Sequence, residues 1–306
     1  MTHLLALRRK SGVKPPTCRV EHSEFLHAVY RACLHREPDP GGLRRYLEQL
    51  ESNTLDWEGV LRAVLGSEEF LSQQEARSSE DRAMHSLHGA RMILFRELLP
   101  CAEVVVDLGG ASSDDPEGAL FALGYPHAPR DLTIVDLPPD ERFLRSGRAT
   151  PQALKAARGT RIRYLYGSMG DLRSIADSSV DLVVSGESIE HVSEDEADRV
   201  FREALRILRP EGHFCLDTPN ARLTRVQSPG SLIHPEHQKE YRVSELADKL
   251  TRHGFHIATV KGICPMPDSL ATGRFDLNEL ARNCRLSDDP EEGYLFFIDA
   301  VKAAAS

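Results

Sequence analysis

None of the six cysteines (Cys18, Cys33, Cys101, Cys215, Cys264, Cys284) stands in a CxxC pair, so neither a zinc cluster nor a disulfide framework is indicated. Reduced thiols in a cytoplasmic protein are the expectation. Positive charge is also in short supply. The 38 basic residues against 47 acidic ones leave a net charge of -9, which repels a polyphosphate and argues against a nucleic-acid partner. Long apolar runs are missing too, and nothing approaches the roughly 20 residues of a membrane span. The start, MTHLLALRRKSG, carries its positive charge after its apolar run, the reverse of a secretion signal. Finally, there is no complete GxGxxG, the glycine signature of dinucleotide sites.

What is present is a chain of 306 residues with 41% apolar content, enough for one large domain and a small one. The basic stretch 1–20, with Pro15 and Pro16, reads as a mobile arm. From 21 to 76 the pattern is helical: FLHAVYRACL sets Phe25, Val29 and Cys33 on one face. REPDPGG breaks that helix, LRRYLEQL and WEGVLRAVL supply two more, and GSEEF opens a fourth with Ser67 at its N-cap. Asp39 sits in the proline-bounded turn and reads as a turn former rather than a calcium ligand. A polar linker, SQQEARSSEDR, leads into 77–306, where strands and helices alternate. AEVVVDLGG, DLTIVDLPP, RIRYLYGS, VDLVVSGE and GHFCLDTPN are five strands, and DEADRVFREALRIL is a helix stopped by RPEGH. The order predicts an α/β domain, a doubly wound, mostly parallel sheet with ligands at the carboxyl ends of its strands, preceded by a small all-α domain.

The turn YRACLHREPDPGGLRRYLEQL followed by VLRAVLGSEEF resembles a bacterial helical domain of unknown function related to phycobilisome linker modules. That resemblance implies a docking or oligomerisation module, compatible with a homodimer, and an association with enzymes of cell-surface glycan synthesis.

A strand running into DLGGASS needs its glycines where the backbone turns tightly against a ligand, and a second strand ending in Asp136 sets a carboxylate where it can accept two ribose hydroxyls. Between about Ala102 and Phe255 the ordered segments YLYGSMGDL, SSVDLVVSGESIEHV and ALRILRPEGHFCLDTPN resemble class I S-adenosylmethionine-dependent methyltransferases. By that resemblance Asp107, Gly109 and Gly110 turn around the methionine end of the cofactor and Asp136 binds the ribose. Ser168 and Met169 flank the adenine, and Glu187 stands where the fourth strand meets the active site. The chain departs from the family with Ala111 and Ser113 in place of glycines, and with Ser168 where an acid is usual.

An alcohol acceptor must lose its proton to a base or a metal. If a helix begins in SGESIEHV, then Glu187, Glu190 and His191 share one face. The long loop TPNARLTRVQSPGSLIHPEHQKEY adds His234 and His237. Together these resemble methyltransferases that hold a divalent ion (Mg, Mn or Zn) with two glutamates and two histidines, here Glu187, Glu190, His191 and His237. His237, His191 and His234 are the candidate catalytic residues; His213, at a strand start, reads as structural. The expectation is metal-assisted O-methylation of a sugar or polysaccharide-precursor hydroxyl, so a small-molecule or glycan acceptor is the expected partner. Two readings stand beside it: a small-molecule (natural-product or quinone-like) O- or N-methyltransferase with a metal-free histidine base, and a non-catalytic cofactor-binding scaffold.

Overall fold

The computed structural model describes residues 19–34, 36–75, 79–112, 115–138, 153–155 and 159–304. The chain divides into two compact units, 1–76 and 77–306. Of the expected basic arm, residues 1–18 lie outside the described residues.

The first unit is helical: α1 (Arg19–Leu34), α2 (Pro40–Glu51), α3 (Trp57–Leu65) and α4 (Glu68–Glu75). Asp39 caps α2 by accepting the Gly42 N–H at 2.8 Å, and Asp56 caps α3 through Gly59 at 2.7 Å. The break between α1 and α2 is therefore shorter than REPDPGG suggests. Pro40 and both glycines lie inside the first turn of α2, where a proline's missing N–H has no helical partner to lose. Ser67 accepts the Phe70 N–H at 3.2 Å at the start of α4. Phe25, Leu26, Val29, Leu47, Leu61 and Val64 are buried, so the apolar stripes of α1, α2 and α3 supply this unit's core.

The second unit opens with α5 (Ser79–Glu97), which begins inside the stretch read from sequence as a linker. A nine-stranded sheet follows, in the order β3-β4-β2-β1-β5-β6-β9-β7-β8. Its parallel centre comprises β4 (Arg161–Tyr166), β2 (Asp131–Asp136), β1 (Val104–Leu108), β5 (Val180–Gly186) and β6 (Leu208–Pro219). β3 (Ala153–Lys155) adds antiparallel at one edge; at the other, β9 (Gly293–Lys302), β7 (Phe255–Pro265) and β8 (Leu286–Ser287) also run antiparallel to their neighbours. The central strands are apolar on both faces, with Val105, Val106, Leu108, Leu182 and Val183 all buried, because helices cover the sheet. α7 (Glu194–Ile207) buries Ala197, Val200, Phe201 and Ala204 and is capped by Ser193, which accepts the Glu196 N–H at 3.3 Å.

α7 stops before RPEGH, as expected, and RPEGH itself lies within β6. β6 starts at Leu208 directly after the helix, and its register slips opposite Val180 to Leu182, with Glu211 at φ 63°. A bulge absorbs the residues that would otherwise have formed a turn. The order of the parallel strands reverses direction beside β1, so chain leaving β1 and β5 diverges and leaves a crevice at their carboxyl ends. The short elements α6 (Ala119–Ala122), α8 (Ala221–Gln227) and α9 (Val243–Arg252) connect this sheet. Among the described residues no helix is long and apolar enough to cross a membrane.

Candidate active site

β1 delivers Asp107 to the crevice, 3% exposed, and one of its carboxylate oxygens, Oδ2, is buried without a hydrogen-bond partner. Burial pushes its pKa up to about 7, and the nearby Asp136 pushes the same way. The glycines after it leave the backbone no room for side chains. A Cβ on Gly110 would come within 2.0 Å of the Asp107 carboxyl, and one on Gly109, at φ 75°, within 2.2 Å of Ser188 Oγ. The turn is a cradle around an orphaned acceptor, which is what a ligand bearing a cationic amine would complete. Asp136, at the end of β2, accepts backbone N–H groups from Ala111 at 2.9 Å and Leu137 at 2.7 Å. These two bonds, made to different oxygens, hold the carboxylate at the end of β2. These residues fit S-adenosylmethionine.

The two expected adenine neighbours differ in character. Ser168 is exposed at the end of β4, donates to Glu196 and accepts the Gly170 N–H at 3.0 Å. Met169 is half-buried and packs against the central apolar cluster.

SGESIEHV does not begin an α-helix. After β5 comes a single 3-10 turn, Ile189–His191, and α7 starts only at Glu194. Glu187 lies before that turn in the left-handed region, at φ 48°. Its carboxylate accepts from Arg91 Nη1 at 2.6 Å, and Arg91 Nε in turn donates to Asp217 at 2.7 Å. The Arg91 side chain is 12% exposed and that of Asp217 is 2%. Burial disfavours the guanidinium charge, but Asp217 and Glu187 outweigh it and push the Arg91 pKa up. Gly186 makes room for this network, since a Cβ there would come within 2.5 Å of Arg91 Nη2.

On the acceptor side Glu190, His191 and His237 each offer a ligand atom, all within 4.8 Å of one another. Of the four residues expected from sequence, Glu187 lies outside this group: Glu187, Glu190 and His191 do not continue one α-helix, and Arg91 holds the Glu187 carboxylate. Glu190 is 1% exposed and accepts from the Thr218 hydroxyl at 2.9 Å. Burial and then the charge of Glu187 push its pKa up to about 8. Burial and the neighbouring His237 lower that of His191. The His191 and His237 rings stand 4.9 Å apart, and His234 lies 6.1 Å from His191 and 5.3 Å from His237. His213 is elsewhere, bonded through Nδ1 to Asp299 at 2.8 Å.

The loop that brings His234 and His237 back is tied at its base. Ala221 N–H donates to the Tyr241 carbonyl at 2.8 Å, and the Asn220 side chain donates to the carbonyls of Glu291 and Gly293 at 3.3 and 3.0 Å. Gln238 and Lys239 donate backbone N–H groups to the Glu190 carbonyl at 2.7 and 3.1 Å, fastening the loop to the 3-10 turn. His237 Nδ1 lies 2.9 Å from Glu240, a residue that is 2% exposed. Burial would raise the Glu240 pKa, but the Thr224 hydroxyl, His237 and the Ile233 N–H together hold it low.

Arg91, Asp217, Thr218 and Glu240 were not singled out from sequence. Arg91 has no local signal, because its partners lie 96 and 126 residues away. Glu240 had one: it stands three residues after His237, within the HPEHQKEY stretch.

A family model described as a methyltransferase domain matches residues 121–216, and one described as a domain of unknown function (DUF4214) matches residues 16–74. A probable S-adenosylmethionine-dependent methyltransferase of Mycolicibacterium smegmatis is 36% identical over 107 residues, 35% of this chain. The match spans 40% of that relative's length. Among solved structures, a chain of the complex between the Haloferax volcanii Trm112 methyltransferase activator and a methyltransferase superposes with TM-score 0.49 at 20% identity, over 74% of this chain and 93% of that one. A possible histamine N-methyltransferase of Thermotoga maritima gives TM-score 0.49 at 18% identity, over 76% and 96%.

Proposed function

We propose that the second unit is a class I S-adenosylmethionine-dependent methyltransferase domain and that the protein modifies a hydroxyl of a sugar or polysaccharide precursor, assisted by a divalent metal. The observation that carries the reading is the convergence of Glu190, His191 and His237 within 4.8 Å on the acceptor side of the crevice. Asp107, Gly109, Gly110 and Asp136 would hold the cofactor, and Ser168 and Met169 border its expected adenine site. The cofactor supplies an electrophilic methyl group on a sulfonium. Aligning an acceptor oxygen with that methyl is the larger part of the work, and the tied loop 221–240 gives the acceptor side a fixed wall.

Glu190, His191 and His237 would hold the ion. A mixed set of oxygen and nitrogen ligands suits Mg, Mn or Zn, and such an ion lowers the pKa of a hydroxyl bound to it. Arg91 has a separate part: it binds the carboxylates of both Glu187 and Asp217, so that these oxygens are engaged by its guanidinium and compete less for a cation. The sugar assignment draws on the helical unit and its likeness to modules that accompany glycan-synthesis enzymes, and on the suitability of adjacent hydroxyls as ligands for one ion.

One contact favours a second reading, a metal-free general base on a small-molecule acceptor. A histidine backed by a buried carboxylate, as His237 is by Glu240, can take a proton unaided. Methyl transfer from labelled S-adenosylmethionine to a panel of sugars, quinols and amines, with and without added metal and after chelation, separates the two. Turnover of sugars that vanishes on chelation and returns with Mg or Mn supports the proposal; chelator-resistant turnover of a quinol or amine replaces it with the second reading.

A further inference from the structure

His237 is useful to either reading only if its Nε2 carries a lone pair, because a metal ligand and a general base both need one. A neutral imidazole has two tautomers, and the sequence around His237 does not by itself choose between them. The choice is made by what Nδ1 meets. Glu240 Oε1 lies 2.9 Å from Nδ1 and also accepts the Ile233 N–H at 2.8 Å, while Oε2 accepts the Thr224 hydroxyl at 2.5 Å. A proton on Oε1 would have to share that oxygen with the Ile233 N–H, so the hydrogen between Glu240 and His237 belongs on Nδ1. Both side chains are shielded from water, at 7% exposure for His237 and 0% for Glu240, so solvent does not compete for the bond.

From this geometry we infer that Glu240 is a positioning residue: it fixes His237 as the Nδ1–H tautomer and turns Nε2 toward Glu190 and His191, and Thr224 and Ile233 hold Glu240 in place for that task. The inference rests on the reading that His237 serves the acceptor, but what it says about the tautomer can be checked without metal, cofactor or turnover. Orienting carboxylates of this kind behind a ligating histidine raise metal affinity by roughly 10- to 100-fold.

The test is made on the full chain, labelled with 15N-histidine and stripped of metal, in buffer alkaline enough to keep imidazoles neutral. The His237 signals are assigned by their loss in His237→Gln. The expected wild-type spectrum shows a protonated Nδ1 and an unprotonated Nε2. In Glu240→Ala the Nε2–H form appears or becomes dominant, and zinc titrated alone binds about 10- to 100-fold more weakly. Glu240→Gln, which keeps an acceptor oxygen for Nδ1–H, recovers most of both. A far-ultraviolet circular dichroism spectrum and a cooperative urea transition like those of the wild type show that the variants are folded. An Nε2–H tautomer in the wild type overturns the inference with no variant needed, as does an unchanged tautomer in folded Glu240→Ala. A wild type with the expected tautomer, a shifted Glu240→Ala and no zinc binding by either sustains the inference and removes only the metal.

Discussion

Arg91 Nη1 donates to Glu187 at 2.6 Å across 96 residues of sequence, and this bond separates the two glutamates of SGESIEHV into different roles. One joins the histidines; the other closes a buried charge network. The two should therefore respond differently to mutation. Glu190→Ala, His191→Ala and His237→Ala should each weaken binding of Mn or Zn, measured by calorimetry, while leaving cofactor affinity nearly intact. Glu187→Ala should leave metal affinity within a few-fold of wild type. Equal metal losses for Glu187→Ala and Glu190→Ala would restore the four-residue set.

Removing Arg91 should be costly for stability. Arg91→Ala leaves Asp217, with its side chain 2% exposed, as a buried carboxylate without a counter-charge. Breaking a buried pair from one side costs about 3 to 5 kcal/mol, and chemical denaturation should show a loss of that order. Arg91→Ala combined with Asp217→Asn should recover part of it. A loss below about 1 kcal/mol would mean that water reaches Asp217, contrary to its burial.

Stability of the cofactor-free protein should fall as pH rises through neutrality. Asp107 has an ordinary pKa of 3.8 when unfolded and is raised to about 7 in the fold, so between these values the native state binds the extra proton. Protons bound preferentially by the native state make stability decrease with pH; the contribution is fully present below 3.8 and is lost as pH rises through about 7. Urea midpoints measured across that window should slope downward, and Asp107→Asn should flatten the slope. A parallel slope in the variant would assign the effect to other groups.

Asp136 should matter for the ribose. Its carboxylate is held by the Ala111 and Leu137 N–H groups, so the site is organised before ligand arrives. Asp136→Ala should weaken both S-adenosylmethionine and S-adenosylhomocysteine by about 1.5 to 3 kcal/mol, the size of a charge-assisted hydrogen bond. Calorimetry giving an unchanged affinity, or a wild type that prefers a nicotinamide dinucleotide, would contradict this.

The parts of the fold carried by continuous apolar runs could be read directly. β1, β2 and β5 are buried on both faces, and VVVDL, DLTIVD and VDLVV leave little else for a chain to do. β7 was not legible, because after the buried Phe255 it alternates irregularly between exposed and half-buried positions, and only its last four residues form a continuous buried run. β9 is almost entirely buried, but its character depends on β6 and β7 lying on either side, a pairing no local pattern specifies. The start of α5 is polar enough to pass for a linker, since Ser79, Glu80 and Asp81 are a helix N-terminus in solvent. At the site, the nearness of Glu190 and His191 is local, whereas the arrival of His237 depends on the loop's fastening to the Glu190 carbonyl. The withdrawal of Glu187 depends on an arginine from a helix that precedes the sheet.

The knot at Asn220 has a consequence for how such a protein diversifies. Because the Asn220 side chain is fastened to the β9 approach and the Ala221 N–H to Tyr241, the chain from 221 to 240 leaves and re-enters the sheet at one place. For a loop with pinned ends, each doubling of length costs only about 0.6 kcal/mol in closure entropy. Insertions and deletions between α8 and His234 can therefore accumulate while the strands, the glycine turn and the His237–Glu240 contact keep their positions. What this loop presents to a ligand is free to drift on a tether whose anchor points do not move.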